Sequence, residues 1–570
     1  MLVAVAMALA AIVYLNALPN PFVYDDLVVI VENRALEAPW SVAAALELSA
    51  FRPVTALSYA LDRAIWRLEP FGYHLTSVLL HVLNTGLVFL LAVVLGADRM
   101  RGLNPPVDRV LGTPPPNAAL AAFAVAGLFA VHPALTEAVS YVSARSEVLA
   151  TTLVLAAFLA LRAALLTGRA VWTVMGVGLF VLALGAREVA AALPFVLLVY
   201  DRIVLGGTPE GRRRRLVRWH VPLLATTIAA GALRLVLYVS HEGGALEATA
   251  RYVATQAGVV WRYVKLLLVP VGLSLVHHTP VAGVTDAWTL VALAGLVALV
   301  AVAIVARREE PWVALGIAWF LLALAPTSVV PLRDVMAEHR LYLASIGLLL
   351  ALVAVGARLG ARLPIDSSRR RAVGATIVVV IVIVLGVLTL ARNAVWADPV
   401  VLWQDAATKS PQSATARAGL ANALAQAGRC GAAIPEYDAS LRLAPAPGVF
   451  TNLASCLVAE RRVDEALAAY QRALALEPRY VAAHHNLALL ALHRGDRDRA
   501  HEHFLRAIAP DWRRPRWRED LIALHERSID DPAKTLELCR ELLRVASETA
   551  GVRECIARNE ARLAKRAASG

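Results

Sequence analysis

The side chains best suited to chemistry are acids, histidines and arginines that sit just outside long apolar stretches. Asp25 and Asp26 come first, in Pro21-Phe22-Val23-Tyr24-Asp25-Asp26, directly after an apolar run over residues 1–18. A carboxylate near lipid depth is costly unless it serves a cavity or a partner. At the membrane–water boundary it can act as a general base toward a water-borne hydroxyl beside a lipid-linked donor. The bland alternative is an Asx-type turn in solvent. His132-Pro133-x-x-x-Glu137 follows, and then Arg145-Ser146-Glu147. Pro133 ends a helix there. His132 and Glu137 could be a metal pair, an acid/base pair or a helix-end cap. The spacing is neither His-x-x-x-His nor His-Glu-x-x-His, which disfavours a zinc hydrolase. Arg187-Glu188 stands before a further apolar run, and Glu338-His339-Arg340 opens another. A guanidinium at head-group level presents a planar fork of donors suited to phosphate. Ordinary anionic head groups would satisfy it as well.

These groups are positioned by a chain whose bulk composition is that of a membrane protein. Of 570 residues 58% are hydrophobic, the formal net charge is +12 and the mean hydropathy is +0.60. Soluble domains carry about 45–50% apolar residues. Runs suitable for spanning are 2–18, 73–96, 118–135, 147–166, 170–186, 188–205, 220–240, 287–306, 311–326, 339–357 and 373–391. A further candidate, 251–276, is interrupted by Arg251, Arg262, Lys265, Pro270 and His277. Basic loops at 99–109, 162–169, 212–218, 307–308 and 358–371 share one side only if 251–276 does not cross. That segment is therefore expected to be interfacial or re-entrant, and the chain to have eleven spans. The basic charge reads as topology rather than nucleic-acid binding. With a cytoplasmic N-terminus, all the candidate groups and everything after Arg392 fall on the non-cytoplasmic face. Residues 1–18 read as a retained helix. In the long first external loop, Trp40–Leu48 and Leu57–Trp66 read as short helices lying flat on the membrane. Arg392-Asn393 and Trp396 after the last run read as a link to the C-terminal part, and His277-His278 as interfacial.

From about residue 410 the pattern repeats with a period of about 34 residues. Ala433, Ala466 and Ala500 correspond, as do Tyr437, Tyr470 and Phe504, and Ser440, Ala473 and Ala507; Pro445, Pro478 and Pro510 close the units. Small residue, aromatic, small residue and proline at this period form the tetratricopeptide signature, a stack of helix pairs. The domains are read as 1–395 in the membrane, 396–412 as linker, 413–512 as repeats and 513–570 as a degenerate helical cap and tail. The fold class is all-α: a polytopic membrane helix bundle, then an α-solenoid. Cys430, Cys456, Cys539 and Cys555 all lie in the C-terminal part and form no Cys-x-x-Cys pattern, so a zinc site is not expected. Cys539 and Cys555 could face each other across a helix pair, and an external location permits disulfides.

The order of the motifs adds a resemblance. Phe22-x-Tyr24-Asp25-Asp26 with Asn33, Arg52-Pro53, Gly72-Tyr73-His74 and His81, His132-Pro133-x-x-x-Glu137, Arg145-x-Glu147, Glu188, Glu338-x-Arg340-x-Tyr342-Leu343 and Arg392-Asn393-x-x-Trp396 together resemble the transmembrane and tetratricopeptide-repeat-containing O-mannosyltransferases. These are membrane glycosyltransferases of the C superfamily. The resemblance covers nearly the whole chain. It departs from the family where Arg187-Glu188 stands for the usual Lys-Glu, and where three repeats are clear rather than more. It implies transfer of a sugar, mannose or another hexose, from a polyprenyl-phosphate carrier to a hydroxyl, with inversion. The acceptor would be Ser/Thr of a protein, or alternatively a glycan or lipid. Asp25 or Asp26 would be the base. His132, Glu137, Arg145, Glu147 and Glu188 would line the sugar or acceptor site, and Arg340 with Arg187 would bind the donor phosphate. No organic cofactor or nucleotide site is expected, since neither a P-loop nor a dinucleotide turn occurs. A divalent cation held by the carboxylates is left open. Partners would be the bilayer, the lipid-linked donor, the acceptor and a protein bound by the repeats. The alanine- and arginine-rich composition suggests a bacterial inner membrane, with the repeats on its periplasmic side. A non-enzymatic scaffold is the rival class.

Overall fold

The computed structural model describes residues 1–33, 36, 52–101, 116–242, 246–329, 332, 334–507, 515–529, 531–545 and 550–569. The expected helix at Trp40–Leu48, most of the first basic loop and Pro510 lie outside the described residues. Every regular element among those described is helical. The chain divides into two compact units, Met1–Lys409 and Ser410–Gly570.

Among the described residues of the first unit, six helices are long and apolar enough to cross a membrane: Pro70–Asp98, Val142–Thr167, Ala287–Ala306, Pro311–Val329, Glu338–Ala361 and Ser367–Val395. A seventh forms if the pair Ala118–Val131 and Pro133–Ser140, bent by 56°, counts as one span. Pro133 causes the bend, because it lacks the N–H that would continue the helix. The expected count of eleven adds four stretches that this length and hydropathy do not establish. Leu2–Ala17 and Ala170–Ala186 are short. Residues 188–205 break into a 3₁₀ turn Glu188–Ala192, a helix Leu193–Tyr200 and a π turn Asp201–Leu205. The helix Val221–Glu242 has described side chains only to residue 232. The interrupted segment is a helix, Leu246–Leu268, followed by an irregular stretch that returns to the bundle.

Ala287–Ala306 and Ser367–Val395 leave most of their apolar surface uncovered by protein, with Val297 and Val305 largely exposed. Continuous apolar faces of this kind mark surfaces that contact membrane or another protein. The core is formed by Val13, Phe129, Phe158, Trp319 and their neighbours. One approach is close enough to demand glycine. A Cβ on Gly316 would collide with the carbonyl oxygen of Gly347, and one on Gly347 with that of Gly316. Backbone contact between Pro311–Val329 and Leu341–Ala361 fixes the entry to the second helix, where Glu338–Arg340 forms a 3₁₀ turn.

The second unit has three antiparallel helix pairs: Ala414–Gln426 with Cys430–Leu443, Pro447–Ala459 with Val463–Leu476, and Val481–His493 with Arg497–Arg506. All nine aligned repeat positions named above are buried. Small residues let the paired helices approach, and the hydroxyls of Tyr437 and Tyr470 reach Asn422 and Ser455 on the partner helix of the same pair. Pro515–Ile529, Pro532–Val545 and Ala550–Ser569 extend the stack. Cys430 is paired with Cys456, and Cys539 with Cys555 across the last two helices.

Candidate functional site

The first loop reaches its chemistry through a strained backbone. Tyr24 has φ of +54°, a region that non-glycine residues rarely occupy. Strain of this kind persists only where surroundings enforce it. Here the Tyr24 ring stacks on Tyr141 (centroids 6.2 Å) and meets Trp403 edge-on (5.2 Å), while Tyr141 stacks on Trp396 (5.8 Å). The turn sends the two aspartates to different environments. Asp26 is fully buried: Oδ1 accepts from the Ser143 amide (2.7 Å) and hydroxyl (2.6 Å), and Oδ2 from the Val23 amide (3.1 Å). Burial pushes its carboxyl up to about 7 against the lowering effect of those donors. Asp25 is exposed, and its amide donates to the Tyr141 hydroxyl (3.1 Å).

Arg145 is a second buried centre. It ion-pairs with Asp62 (2.5 Å), donates to Ser77 Oγ (3.1 Å) and the Tyr73 carbonyl (2.7 Å), and lies over the rings of Tyr59 and Tyr73. All of these partners are protein groups, so Arg145 ties Pro53–Trp66, Pro70–Arg101 and Arg145–Thr167 together. The helix Pro53–Trp66 packs on the bundle through Thr55, Ala56, Tyr59 and Asp62 and leaves Leu57, Leu61 and Ile65 exposed on its other face.

The remaining candidates form one network. Arg52 reaches both carboxylate oxygens of Glu188 (3.1 and 3.3 Å). Arg187 lies 3.7 Å from Glu188 and pairs with Glu147 at 2.7 Å. It also meets Ser146 Oγ (2.5 Å) and His339 Nε2 (3.0 Å). His339 Nδ1 is 2.5 Å from Glu137 Oε1, and Glu137 Oε2 accepts from the Glu338 amide (3.0 Å). Glu338 Oε1 in turn accepts from the Ser274 amide (2.6 Å) and pairs with His277 Nε2 (2.8 Å). The irregular stretch after Leu268 is thus drawn onto the same end of the bundle.

His132 and Arg340 stand apart from the carboxylates. His132 Nδ1 accepts from the Ala134 amide (3.2 Å) as a helix cap, which leaves Nε2 to donate to the Leu267 carbonyl (2.9 Å). His132 thus caps the turn Pro133–Leu135, and Glu137 takes no part in that cap. Arg340 is buried, and its donors reach the backbone carbonyls of Asp334 (2.6 Å) and Val335 (3.2 Å), with Tyr252, Tyr263, Glu147 and Asp334 in electrostatic range. Among the described residues no carboxylate ion-pairs with it. Its Nε is buried without a hydrogen-bond partner. Among the described residues, no three His, Cys, Asp or Glu side chains gather so as to hold a metal ion.

Sequence reasoning missed Asp62, Ser143 and Tyr141. Asp62 is the sole acid in the helix Pro53–Trp66, which is mostly apolar apart from Thr55, Ser58 and Arg63, and that was a usable signal. Ser143 and Tyr141 carry no such signal, because their roles depend on two loops meeting across more than a hundred residues.

Residues 457–523 match the tetratricopeptide repeat family model. The chain is 34% identical over 154 residues to protein O-mannosyl-transferase Tmtc1 of Drosophila melanogaster, covering 25% of this chain and 16% of that protein. It is 32% identical over 161 residues to protein O-mannosyl-transferase TMTC2 of Homo sapiens, with the same two coverages. Against the human TMTC3 protein the figures are 26% over 230 residues, 38% of this chain and 22% of the relative. The matched stretches thus span less than a quarter of these relatives. The family resemblance carried by the order of the motifs is borne out by them. A solved chain from the APC/C hetero-tetramer Cut9-Hcn1 aligns over 91% of this chain and 86% of its own, at 14% identity and a TM-score of 0.23, too low to carry inference.

Proposed function

We propose that this protein is a membrane glycosyltransferase that moves a hexose such as mannose from a polyprenyl-phosphate carrier to a Ser or Thr hydroxyl of a protein. The observation that carries the reading is the division of labour in the first loop. Asp26 is buried and holds Ser143 and Val23, while Asp25, next to the strained Tyr24, is exposed at the surface beside Tyr141. The repeats, a fold that offers extended binding surfaces, recruit the acceptor or a partner protein. The lipid-facing helices and the paired cysteines fit an integral protein of a bacterial inner membrane, with the repeats in the oxidising periplasm.

The reaction is a single displacement. The acceptor oxygen attacks the anomeric carbon from the face opposite the phosphate, and the Asp25 carboxylate takes its proton. The bond between the anomeric carbon and the phosphate oxygen breaks, and its electron pair leaves with the polyprenyl phosphate. Configuration at the anomeric carbon inverts. Arg340, hydrogen-bonded by two backbone carbonyls and held in no ion pair among the described residues, offers positive charge to the departing phosphate, which is where preorganised charge lowers the barrier most. Arg187, by contrast, is already neutralised by Glu147. Its reading as a phosphate ligand gives way to one of orienting His339. Glu137, His339, Glu147 and Glu188 form the polar wall beside the sugar, and His132 and Arg145 hold that wall in place.

The test is transfer in membranes expressing the full chain, with labelled polyprenyl-phosphate mannose or a nucleotide-linked mannose as donor. Label passing from the lipid donor into protein supports the proposal. Label passing only from the nucleotide donor contradicts it, and label in a glycan or lipid fraction reassigns the acceptor.

A further inference from the structure

Arg392 ends the helix Ser367–Val395 and is buried, 6% exposed. A guanidinium has five N–H donors. One edge of this one is used: Nη1 ion-pairs with Asp405 at 2.7 Å. Nε and Nη2 are buried with no hydrogen-bond partner. Buried unsatisfied donors cost stability, and native structures contain few of them, so each calls for a cause. Arg145, equally buried, has carboxylate, hydroxyl and carbonyl partners for its three nitrogens. The contrast is not one of depth.

The surroundings suggest the cause. Asn393 accepts from Ser140 Oγ at 2.8 Å, which pins this helix end to Thr136–Ser140, the short helix that carries Glu137. Glu137 lies within electrostatic range of His277, Arg392 and Arg340. Arg340 Nε and the indole N–H of Trp396 are also buried donors without acceptors. The Arg392 guanidinium sits 5.9 Å from the Trp396 ring, which stacks on Tyr141, which stacks on Tyr24. Unsatisfied donors from two arginines and a tryptophan thus converge on the neighbourhood of Glu137 and the Asp25 turn. Glu147 and Glu338 also carry buried carboxylate oxygens without a hydrogen-bond partner, but the donors on Arg340, Arg392 and Trp396 are the groups that an anion with several oxygens would satisfy.

We propose that Arg392 is a second phosphate-binding arginine, acting with Arg340 on the phosphate of the lipid-linked donor. The proposal rests on the reading of the donor given above. Because Arg392 is tethered on one edge only, a change of its outer rotamers swings the other edge toward the phosphate as the donor enters.

The experiment uses the full chain in lipid nanodiscs and measures retention of a polyprenyl monophosphate against the same polyprenol without phosphate. Three forms are compared: wild type, Arg392→Gln and Asp405→Asn. Arg392→Gln removes the charge and, being two atoms shorter, the contact of Nη1 with Asp405 as well. Asp405→Asn weakens the same ion pair but leaves the guanidinium. Charge-assisted bonds of about 1.5–3 kcal/mol correspond to roughly a 10- to 100-fold loss of monophosphate affinity in Arg392→Gln. Asp405→Asn is expected to stay within about twofold of wild type on the same ground. Equal losses in both variants would assign Arg392 to structure and overturn the proposal. Unchanged affinity in Arg392→Gln would overturn it too. If wild type itself does not prefer the monophosphate to the polyprenol, the donor reading fails and takes this proposal with it.

Discussion

Ser143 donates both its amide and its hydroxyl hydrogen to one oxygen of Asp26, at 2.7 and 2.6 Å. This double bond joins the first loop to the turn before Arg145 and lets Asp25 face outward at a fixed place. It also sets a pH dependence. The carboxyl of Asp26 is raised from 3.8 to about 7 by burial. The folded protein therefore binds its proton more tightly than the unfolded chain. The stability this group contributes is fully present below about pH 4 and is lost as pH rises through about 7. Asp26→Asn is uncharged throughout. Melting of the wild type in detergent is expected to fall more steeply from pH 5 to pH 7.5 than melting of Asp26→Asn. Equal slopes would show that Asp26 does not titrate in that window.

Arg145 and Asp62 form a buried pair, with side chains 0% and 3% exposed. Removing one partner leaves the other charge uncompensated, at a cost of about 3–5 kcal/mol. Arg145→Met is expected to lower thermal stability and transfer activity together. Full stability with activity lost would instead place Arg145 directly at the substrate.

Arg52 and Glu188 make an ion pair with side chains 36% and 23% exposed. Pairs open to solvent contribute about 0–1 kcal/mol. Glu188→Gln should change stability by less than about 1 kcal/mol on that ground. If Glu188 lines the sugar or acceptor site, kcat or KM changes while melting does not. Unchanged kinetics would leave the pair a surface contact.

How much of this was legible in the sequence follows from the kind of signal each part left. The repeat unit was readable because its pattern is local: Ala433, Tyr437 and Ser440 recur at fixed intervals, and all are buried as a stacked pair requires. The long apolar helices were readable for the same reason. Broken segments were not: 188–205 reads as one apolar run, yet Pro194 begins a new helix after a 3₁₀ turn. The candidate residues were visible as charges next to apolar runs, but their partners were not. Nothing local pairs Asp62 with Arg145 or Asp26 with Ser143. Nor does sequence distinguish Arg187, ion-paired with Glu147, from Arg340, which donates to two backbone carbonyls.

The four cysteines of the repeat unit are joined as Cys430–Cys456 and Cys539–Cys555. Intact-mass measurement after alkylation should show no added label before reduction and four labels after it. Removing either bond should cost about 2–4 kcal/mol. Four labels without reduction would place the repeats in a reducing compartment and reverse the sidedness proposed here.

The most direct test of the central claim compares Asp25→Asn with Asp26→Asn in the transfer assay, at matched expression and with melting measured alongside. A positioned general base contributes about 10²–10⁴-fold. Asp25→Asn is expected to lose transfer by that order with melting unchanged. Asp26→Asn is expected to change melting and retain measurable transfer. Wild-type rates from Asp25→Asn would contradict the account and remove the first loop from the chemistry.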